Sequence, residues 1–310
     1  MSIDNFKGCI QNFPRNKKLF CFGLGYTSSA LAVELLKHDW SIGGTTTDAD
    51  KCNALKEQGI NAFVFDKTHP LCAPDQSLKD ITHLLLSIPP GEDGDIGFNF
   101  HGNELESLPN LEWVGYLSAT SVYGNYNGGW IDEMAPPSPI SRRGSLRLKA
   151  EQQWYSLFLS SGFPLHIFRL SGIYGPGRST LDVVRAGQAR RIVKEGHVFN
   201  RIHIDDIVQS LMASISKPNV GEVYNLADDM PVPSHEVIKY ACELLGMDVP
   251  PLTPYDEVDY LAPIVRSFYQ DNKRIQNDKI KEELGVRLMY PDYKAGLNAC
   301  FATEDDLLLT

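Results

Sequence analysis

The 310-residue sequence predicts an α/β protein, a doubly wound parallel sheet with a smaller C-terminal lobe, and three observations lead there. From Lys18 onward, short apolar runs alternate with amphipathic stretches of helix length. The run His83 to Ile88 is so uniformly apolar that it fits a strand covered on both faces. Later runs end in small polar residues and glycine, which suits loops beyond the carboxyl ends of parallel strands, where ligands sit in open α/β sheets.

The first unit reads as a strand from Leu19 to Phe22, a helix from Ser28 to His38 and a strand from Trp40 to Gly44. A third strand follows at Ala62 to Phe65 and a fourth at His83 to Ile88. A fifth, Trp113 to Leu117, runs into Ser118-Ala119-Thr120-Ser121-Val122-Tyr123-Gly124. A sixth, Leu165 to Leu170, runs into Ser171-Gly172-Ile173-Tyr174-Gly175-Pro176-Gly177. Repeated strand-helix alternation implies right-handed crossovers. After Gly177 the rhythm changes, with helices expected at Leu181 to Ala189, Asp205 to Ser216, Ser234 to Leu245 and Asn272 to Leu284, a strand at Glu222 to Leu226, and a linker turn at the proline-rich Val249 to Pro254.

With 43% hydrophobic and 22% charged residues, a chain of this length buries a sizeable core. A formal charge of −10 and a pI near 5.3 argue against nucleic acid or an anionic membrane as partner and leave a small molecule. No stretch reaches the roughly 18 apolar residues of a membrane span, and Met1 to Lys18 lacks an apolar signal core, so the expected location is the cytoplasm. Cys9, Cys21, Cys52, Cys72, Cys242 and Cys300 lie far apart with no metal-ligand spacing and read as reduced thiols; no metal site is expected.

Gly23 and Gly25 follow a strand and open a helix, in the order Gly23-Leu24-Gly25-Tyr26-Thr27-Ser28. Glycine lets the backbone turn tightly and approach a pyrophosphate, while the free N–H groups at the helix start and its dipole favour negative charge. Ser28 stands at the third glycine position, where its hydroxyl can pack closely or reach a phosphate. Together these features point to a nicotinamide dinucleotide on a Rossmann-type unit. An NAD-preferring site carries Asp or Glu at the tip of the second strand; here the tip reads Thr45-Thr46-Thr47-Asp48. With Thr46 or Thr47 in that position and Lys51 near, the reading leans to NADP over NAD, although Asp48 can serve either as ribose ligand or as the N-cap of the next helix.

With Ser118 to Gly124, Phe168 to Arg178, Arg201-Ile202-His203-Ile204-Asp205-Asp206 and Val223-Tyr224-Asn225-Leu226-Ala227-Asp228-Asp229 in order behind the glycine turn, the chain resembles the extended or atypical short-chain dehydrogenase/reductase superfamily, its NAD-dependent epimerase/dehydratase group, and within it YeeZ-like proteins. The resemblance implies a Rossmann domain over 18–175 and 205–228 and a substrate lobe over 176–204 and 229–310, after an N-terminal extension over 1–17. It also implies a homodimer through the helices after the fourth and fifth strands. On the same ground Asp66 lies near the adenine, Ser87 and Ile88 along the adenosine, and Ser118 and Leu170 to Gly172, with Ser171 among them, near the nicotinamide.

Relatives that oxidise or reduce an alcohol use a Ser or Thr three residues before the valine of Val-Tyr-Gly, and a Tyr-x-x-x-Lys pair on the next helix. Aligned by Glu151, these positions hold Ala119, Arg143 and Arg147. A guanidinium stays protonated and cannot replace a tyrosine lowered by a neighbouring ammonium. Residues four apart share a helix face, so Arg143 and Arg147 present two positive charges to a carboxylate or phosphate of the substrate, or else Arg142, Arg143 and Arg147 are solvated or pair with Asp132, Glu133 or Glu151. Thr120, Tyr123 and Arg147 are the candidate catalytic residues; Arg143, Tyr174 and His203 are the candidate substrate contacts. Tyr123 and Tyr174 have packing a turn as their alternative role, and for His203 it is a place on a short strand before a helix capped by Asp205 or Asp206. His83 reads as a core histidine. The functional expectation is an atypical NAD(P)-dependent oxidoreductase or epimerase-like enzyme on a small, anionic metabolite. A non-catalytic NAD(P)-binding sensor or scaffold and a sugar-nucleotide epimerase or dehydratase are the alternatives.

Overall fold

The structure, a computed structural model, describes residues 13–258 and 263–308; Cys9 and most of the expected N-terminal extension lie outside them. The chain runs through β1 (Lys18–Phe22), α1 (Tyr26–Leu36), β2 (Ser41–Thr46), α2 (Ala49–Glu57), β3 (Asn61–Val64), α3 (Pro74–Ser77), β4 (His83–Leu86), α4 (Ile96–Glu106) and β5 (Trp113–Ala119). Next come β6 (Trp130–Ile131), α5 (Arg142–Ser161), β7 (Leu165–Leu170), β8 (Gly172–Tyr174), α6 (Thr180–Arg185), β9 (Arg191–Val193), β10 (Arg201–His203) and α7 (Ile204–Ser216). The remainder is β11 (Val223–Leu226), α8 (Ser234–Leu245), β12 (Leu252–Pro254), α9 (Pro263–Phe268), β13 (Arg274–Ile275), α10 (Asp278–Glu282) and α11 (Tyr293–Leu308).

The seven strands read from the sequence make one parallel sheet in the order β11-β7-β5-β4-β1-β2-β3. Strand order reverses at β1, between β4 and β2, and the crevice that opens beyond such a reversal is where a ligand enters an open α/β sheet. Helices cover both faces. Leu31 and Leu35 of α1 and Ile207 and Leu211 of α7 close one side; Leu105 of α4 and Ala150 and Trp154 of α5 close the other, all of them buried. Each fully buried Leu or Ile contributes about 2 kcal/mol of transfer free energy. Burial from both faces is why β4 carries an unbroken apolar run, with His83 as its polar exception. His83 stacks edge-on against Trp40 at 4.6 Å and bonds Thr82 Oγ1 at 2.8 Å, as a core histidine does.

The second lobe packs α6, α8 and α11 around Leu181, Val237, Ala241 and Leu297. Two short parallel pairs, β8–β10 and β6–β13, involve the loops that leave the main sheet, and a third, β9–β12, joins two segments of the lobe itself.

Four differences from the sequence reading have a physical reason in the structure. The first helix starts at Tyr26, two residues before Ser28, because Gly25 already takes the N-cap position. The helix expected through Ala189 stops at Arg185, ahead of the left-handed Gly187 (φ +65°). Asn272 to Leu284 is not one helix: Arg274–Ile275 pairs with Trp130–Ile131, and helix resumes only at Asp278. There the Asn277 amide donates to the Ala227 carbonyl at 2.7 Å, a tertiary bond that overrides helix propensity. Within Val249 to Pro254, Leu252–Pro254 is a strand rather than a linker turn, since it finds Arg191–Val193 to pair with.

Candidate functional site

The glycine turn closes through its neighbours. Gly23 takes φ +93°, a left-handed conformation open to glycine, and a Cβ there would stand 3.0 Å from Ile88 Cγ1. Its N–H donates to Thr45 Oγ1 at 2.9 Å, and the Leu24 N–H donates to the Thr45 carbonyl at 2.7 Å, so the end of β2 shapes the turn. Gly25 is exposed, and a Cβ on it would meet nothing within 4 Å. No side chain caps α1 and no acid occupies its first turn. Its leading N–H groups therefore have no side-chain cap among the described residues, the arrangement that receives a phosphate.

From this turn a cleft of about 1040 Å³ runs along the carboxyl ends of the strands. Gly23, Gly25, Thr46, Thr47, Asp66, Ser87 and Ile88 line it, joined by Lys51, Lys67, Pro89, Pro90, Asn99 and Phe100. That volume is at the upper end of ordinary ligand pockets and suits an extended ligand. Asp48 accepts from the Lys51 N–H at 2.9 Å and so caps α2, leaving the tip of β2 to Thr46 and Thr47. The Lys51 ammonium donates to the Leu24 carbonyl at 2.6 Å, which ties a cation to the back of the glycine turn. Asp66 accepts from the Thr68 hydroxyl and N–H at 2.7 Å each and from His69, and these bonds hold its carboxyl well below the usual range.

Tyr26, Thr27 and Ser28 begin α1, with Thr27 and Ser28 buried. Ser118 ends up beside β7, where the neighbouring Ala119 faces Leu170, and Ser171 follows that Leu170. The hydroxyls of Ser28, Ser118 and Ser171 are buried and have no hydrogen-bond partner among the described residues. An unmatched buried hydroxyl costs about 1–3 kcal/mol, and a polar ligand lying along the strand ends would supply the missing partners. The donor set and the open glycine turn thus fit a dinucleotide.

Of the candidate catalytic groups, Thr120 begins a short 3-10 turn and is half-buried. Arg147 is half-buried and donates to the Leu117 carbonyl at 2.8 Å, directly before Ser118. Arg143 is exposed and lies 5.8 Å above the Phe268 ring. The two arginines thus hold different partners, and neither takes the carboxylates weighed for them: Glu151 is bonded to Arg169, and Glu133 accepts from the Asn225 N–H at 2.8 Å.

Three readings are corrected. Tyr123 is not a free proton donor: it is buried, its hydroxyl donates to Asn225 Oδ1 at 2.7 Å, and burial pushes it up to about 12. Tyr174 belongs to the second-lobe core, packed so closely under α11 that a Cβ on Gly296 would lie 2.0 Å from its oxygen. His203 ends the short strand β10, as its alternative reading expected, and it also caps α7, its Nδ1 accepting from the Asp205 N–H at 3.2 Å. Burial lowers it to about 4, so the ring is neutral. Neither aspartate is the cap. Asp206 accepts from the Met289 and Tyr290 N–H groups at 2.6 and 3.1 Å, anchoring the segment before α11.

Sequence reasoning passed over Thr45, whose hydroxyl shapes the turn, and the Pro89–Phe100 wall of the cleft. The Pro-Pro-Gly directly after an apolar strand was the signal for the wall. For Thr45 there was none, since three consecutive threonines do not say which one turns inward. Among the described residues no His, Cys, Asp and Glu cluster could hold a metal, and no helix is long and apolar enough to cross a membrane.

No family model matches the chain. It is 25% identical over 286 residues to Protein YeeZ of Escherichia coli K12, covering 89% of this chain and 97% of that one. A solved structure of a functionally unknown conserved protein from Silicibacter pomeroyi DSS is 45% identical and superposes with a TM-score of 0.86 over 93% of this chain and 99% of its own. The dTDP-glucose 4,6-dehydratase of Bacillus anthracis, solved in complex with NAD, shares the fold at a TM-score of 0.75 and 17% identity, covering 94% of this chain and 97% of that one. The chain is thus similar to YeeZ over most of its length and shares its fold with NAD-dependent epimerases and dehydratases.

Proposed function

We propose that the chain binds a nicotinamide dinucleotide in the cleft at the Gly23–Gly25 turn and acts as an atypical oxidoreductase or epimerase-like enzyme on a small anionic metabolite. The observation that carries this reading is the open glycine turn, continuous with a cleft of about 1040 Å³ at the reversal of strand order. A bound nicotinamide supplies hydride transfer. The chain's own part is orientation: Ser118 and Ser171 offer unmatched hydroxyls, Thr120 a further donor, and Arg147 a fixed charge beside the end of β5. Ala119, Arg143 and Arg147 leave the usual Ser-Tyr-Lys proton transfer without its groups.

The preferred cofactor in this reading is NADP. Thr46, Thr47 and Lys51 line the cleft at the ribose end, and Asp48, the carboxylate that would repel a 2′-phosphate, is occupied as a helix cap. Nicotinamide fluorescence titrations with NADH and NADPH test both statements. Saturable binding with tighter NADPH, reversed by Lys51→Gln, is the expected result; no saturable signal with either would overturn the reading.

A second reading, a protein that binds NAD(P) without turnover, is favoured by one observation: Tyr123, Tyr174 and His203 are all committed to packing or capping. Consumption of NADPH across a panel of carbonyl acids separates the two.

A further inference from the structure

We propose that Arg178 is a cofactor-binding residue, a cation carried by the second lobe to the pyrophosphate of a dinucleotide seated at the Gly23–Gly25 turn. The inference rests on the dinucleotide reading and adds a residue from outside the nucleotide-binding sheet.

The geometry starts at Tyr26, the first helical residue after Gly25. Its hydroxyl donates to the Pro176 carbonyl at 3.0 Å, and its ring lies under the Arg178 guanidinium, 5.5 Å from Cζ to centroid. The loop is built for this approach. A Cβ on Gly175 would stand 2.5 Å from the Tyr26 oxygen, so only glycine lets the loop seat on the tyrosine. Gly175 and Arg178 exchange backbone bonds at 3.0 and 3.3 Å, and Gly177 turns the chain between them at φ +69°. Backbone position is thereby fixed while the arginine side chain is left exposed.

Charge balance argues the rest. Arg178 forms no ion pair among the described residues. The Asp182 carboxylate, four positions on, accepts instead from the Ser179 N–H and hydroxyl at 2.6 and 2.9 Å. The start of α1 offers no acid of its own. A guanidinium resting on a tyrosine face thus stands beside a helix start with free N–H groups, and a charge-assisted bond to a diphosphate is stronger than an exposed cation–π contact. Lys51, bonded to the Leu24 carbonyl, provides positive charge from the α2 side of the same turn. Because Ser179 goes on to cap α6, a phosphate contact by Arg178 couples cofactor occupancy to the second lobe.

Fluorescence titration of the full chain with NADH and NADPH tests this, using wild type, Arg178→Ala and Arg178→Lys, with circular dichroism melting to confirm that each variant folds. Arg178→Ala is expected to weaken both cofactors by the same factor, about tenfold, and to flatten the salt dependence of binding. Arg178→Lys is expected to retain part of the affinity. Adenosine, which carries no phosphate, should compete equally well against NADH-loaded wild type and variant once each is corrected for its NADH affinity. Unchanged NADH and NADPH affinity in folded Arg178→Ala overturns the proposal, as does an equal loss of adenosine affinity. Absence of binding by wild type is a different result and overturns the dinucleotide reading itself.

Discussion

Glu151 on α5 holds Arg169 on β7 through two bonds, 3.1 Å to Nε and 2.7 Å to Nη2, with side chains only 5% and 6% exposed. The guanidinium also lies 4.7 Å from the Tyr123 ring, whose hydroxyl reaches Asn225 on β11. One ion pair therefore ties together α5, which carries Arg147, β7, which leads into Ser171, and the turn after β5, which begins at Thr120. Removing one partner leaves an uncompensated buried charge. Glu151→Ala is expected to cost about 3–5 kcal/mol in urea unfolding, whereas the double variant Glu151→Leu with Arg169→Met should lose clearly less.

The two turn glycines should separate folding from binding. Gly23→Ala places a Cβ at φ +93° and 3.0 Å from Ile88 Cγ1, so a loss of stability of about 1–3 kcal/mol is expected. Gly25→Ala meets no protein atom within 4 Å and should melt like wild type. It should nevertheless bind NADH and NADPH more weakly, since its methyl group occupies the space a phosphate needs. Paired melting and fluorescence titration check both statements.

Two buried groups give opposite pH dependence. Burial raises Asp228 to about 8 in spite of nearby Arg201. The folded carboxyl then keeps a proton that the unfolded one releases near pH 4, so this contribution to stability is full below about pH 4 and lost as pH rises toward 8. His203 runs the other way. Burial lowers it to about 4, so its contribution is full above about pH 6.5 and lost as pH falls toward 4. Asp228→Asn should therefore flatten the alkaline side of a melting-temperature profile, and His203→Asn, which can still cap α7, should flatten the acid side.

The fold was legible because its signals are local and redundant. The strands of the main sheet announce themselves by apolar runs, and the first two helices by the glycine turn and by Asp48, weighed as an N-cap. The cofactor turn was legible for the same reason: Gly23, Gly25 and the strand before them lie within a few residues. The rest depends on contacts distant in sequence. Nothing in the neighbourhood of Tyr123 announces Asn225, 102 residues on, and nothing near Tyr174 announces Gly296. From its aspartate neighbours His203 could be read as a base or as a strand residue before an aspartate-capped helix, and only the bond from the Asp205 N–H makes the histidine itself the cap. Strand β13 was hidden because Asn272 to Leu284 has helix-forming residues, and its partner Trp130–Ile131 lies far upstream.

Arg143 and Arg147 share a helix but not an environment, and their substitutions should differ. Arg147 is half-buried, bonds the Leu117 carbonyl at 2.8 Å and the Tyr116 hydroxyl at 3.4 Å, and lies 6.0 Å from the Tyr116 ring centroid. Arg143 is exposed, and its contact is the half-exposed Phe268 ring at 5.8 Å. An exposed cation–π contact contributes only about 0.5–1 kcal/mol, so Arg143→Gln should leave stability and cofactor affinity near wild type. Arg147→Gln removes a charge-assisted bond worth about 1.5–3 kcal/mol to the strand end, and should weaken NADPH binding or turnover along with a modest drop in melting temperature. If an anionic substrate spans both guanidinia, the double variant should lose substrate affinity beyond the sum of the singles; additive losses, measured by a double-mutant cycle, would count against a shared anion site.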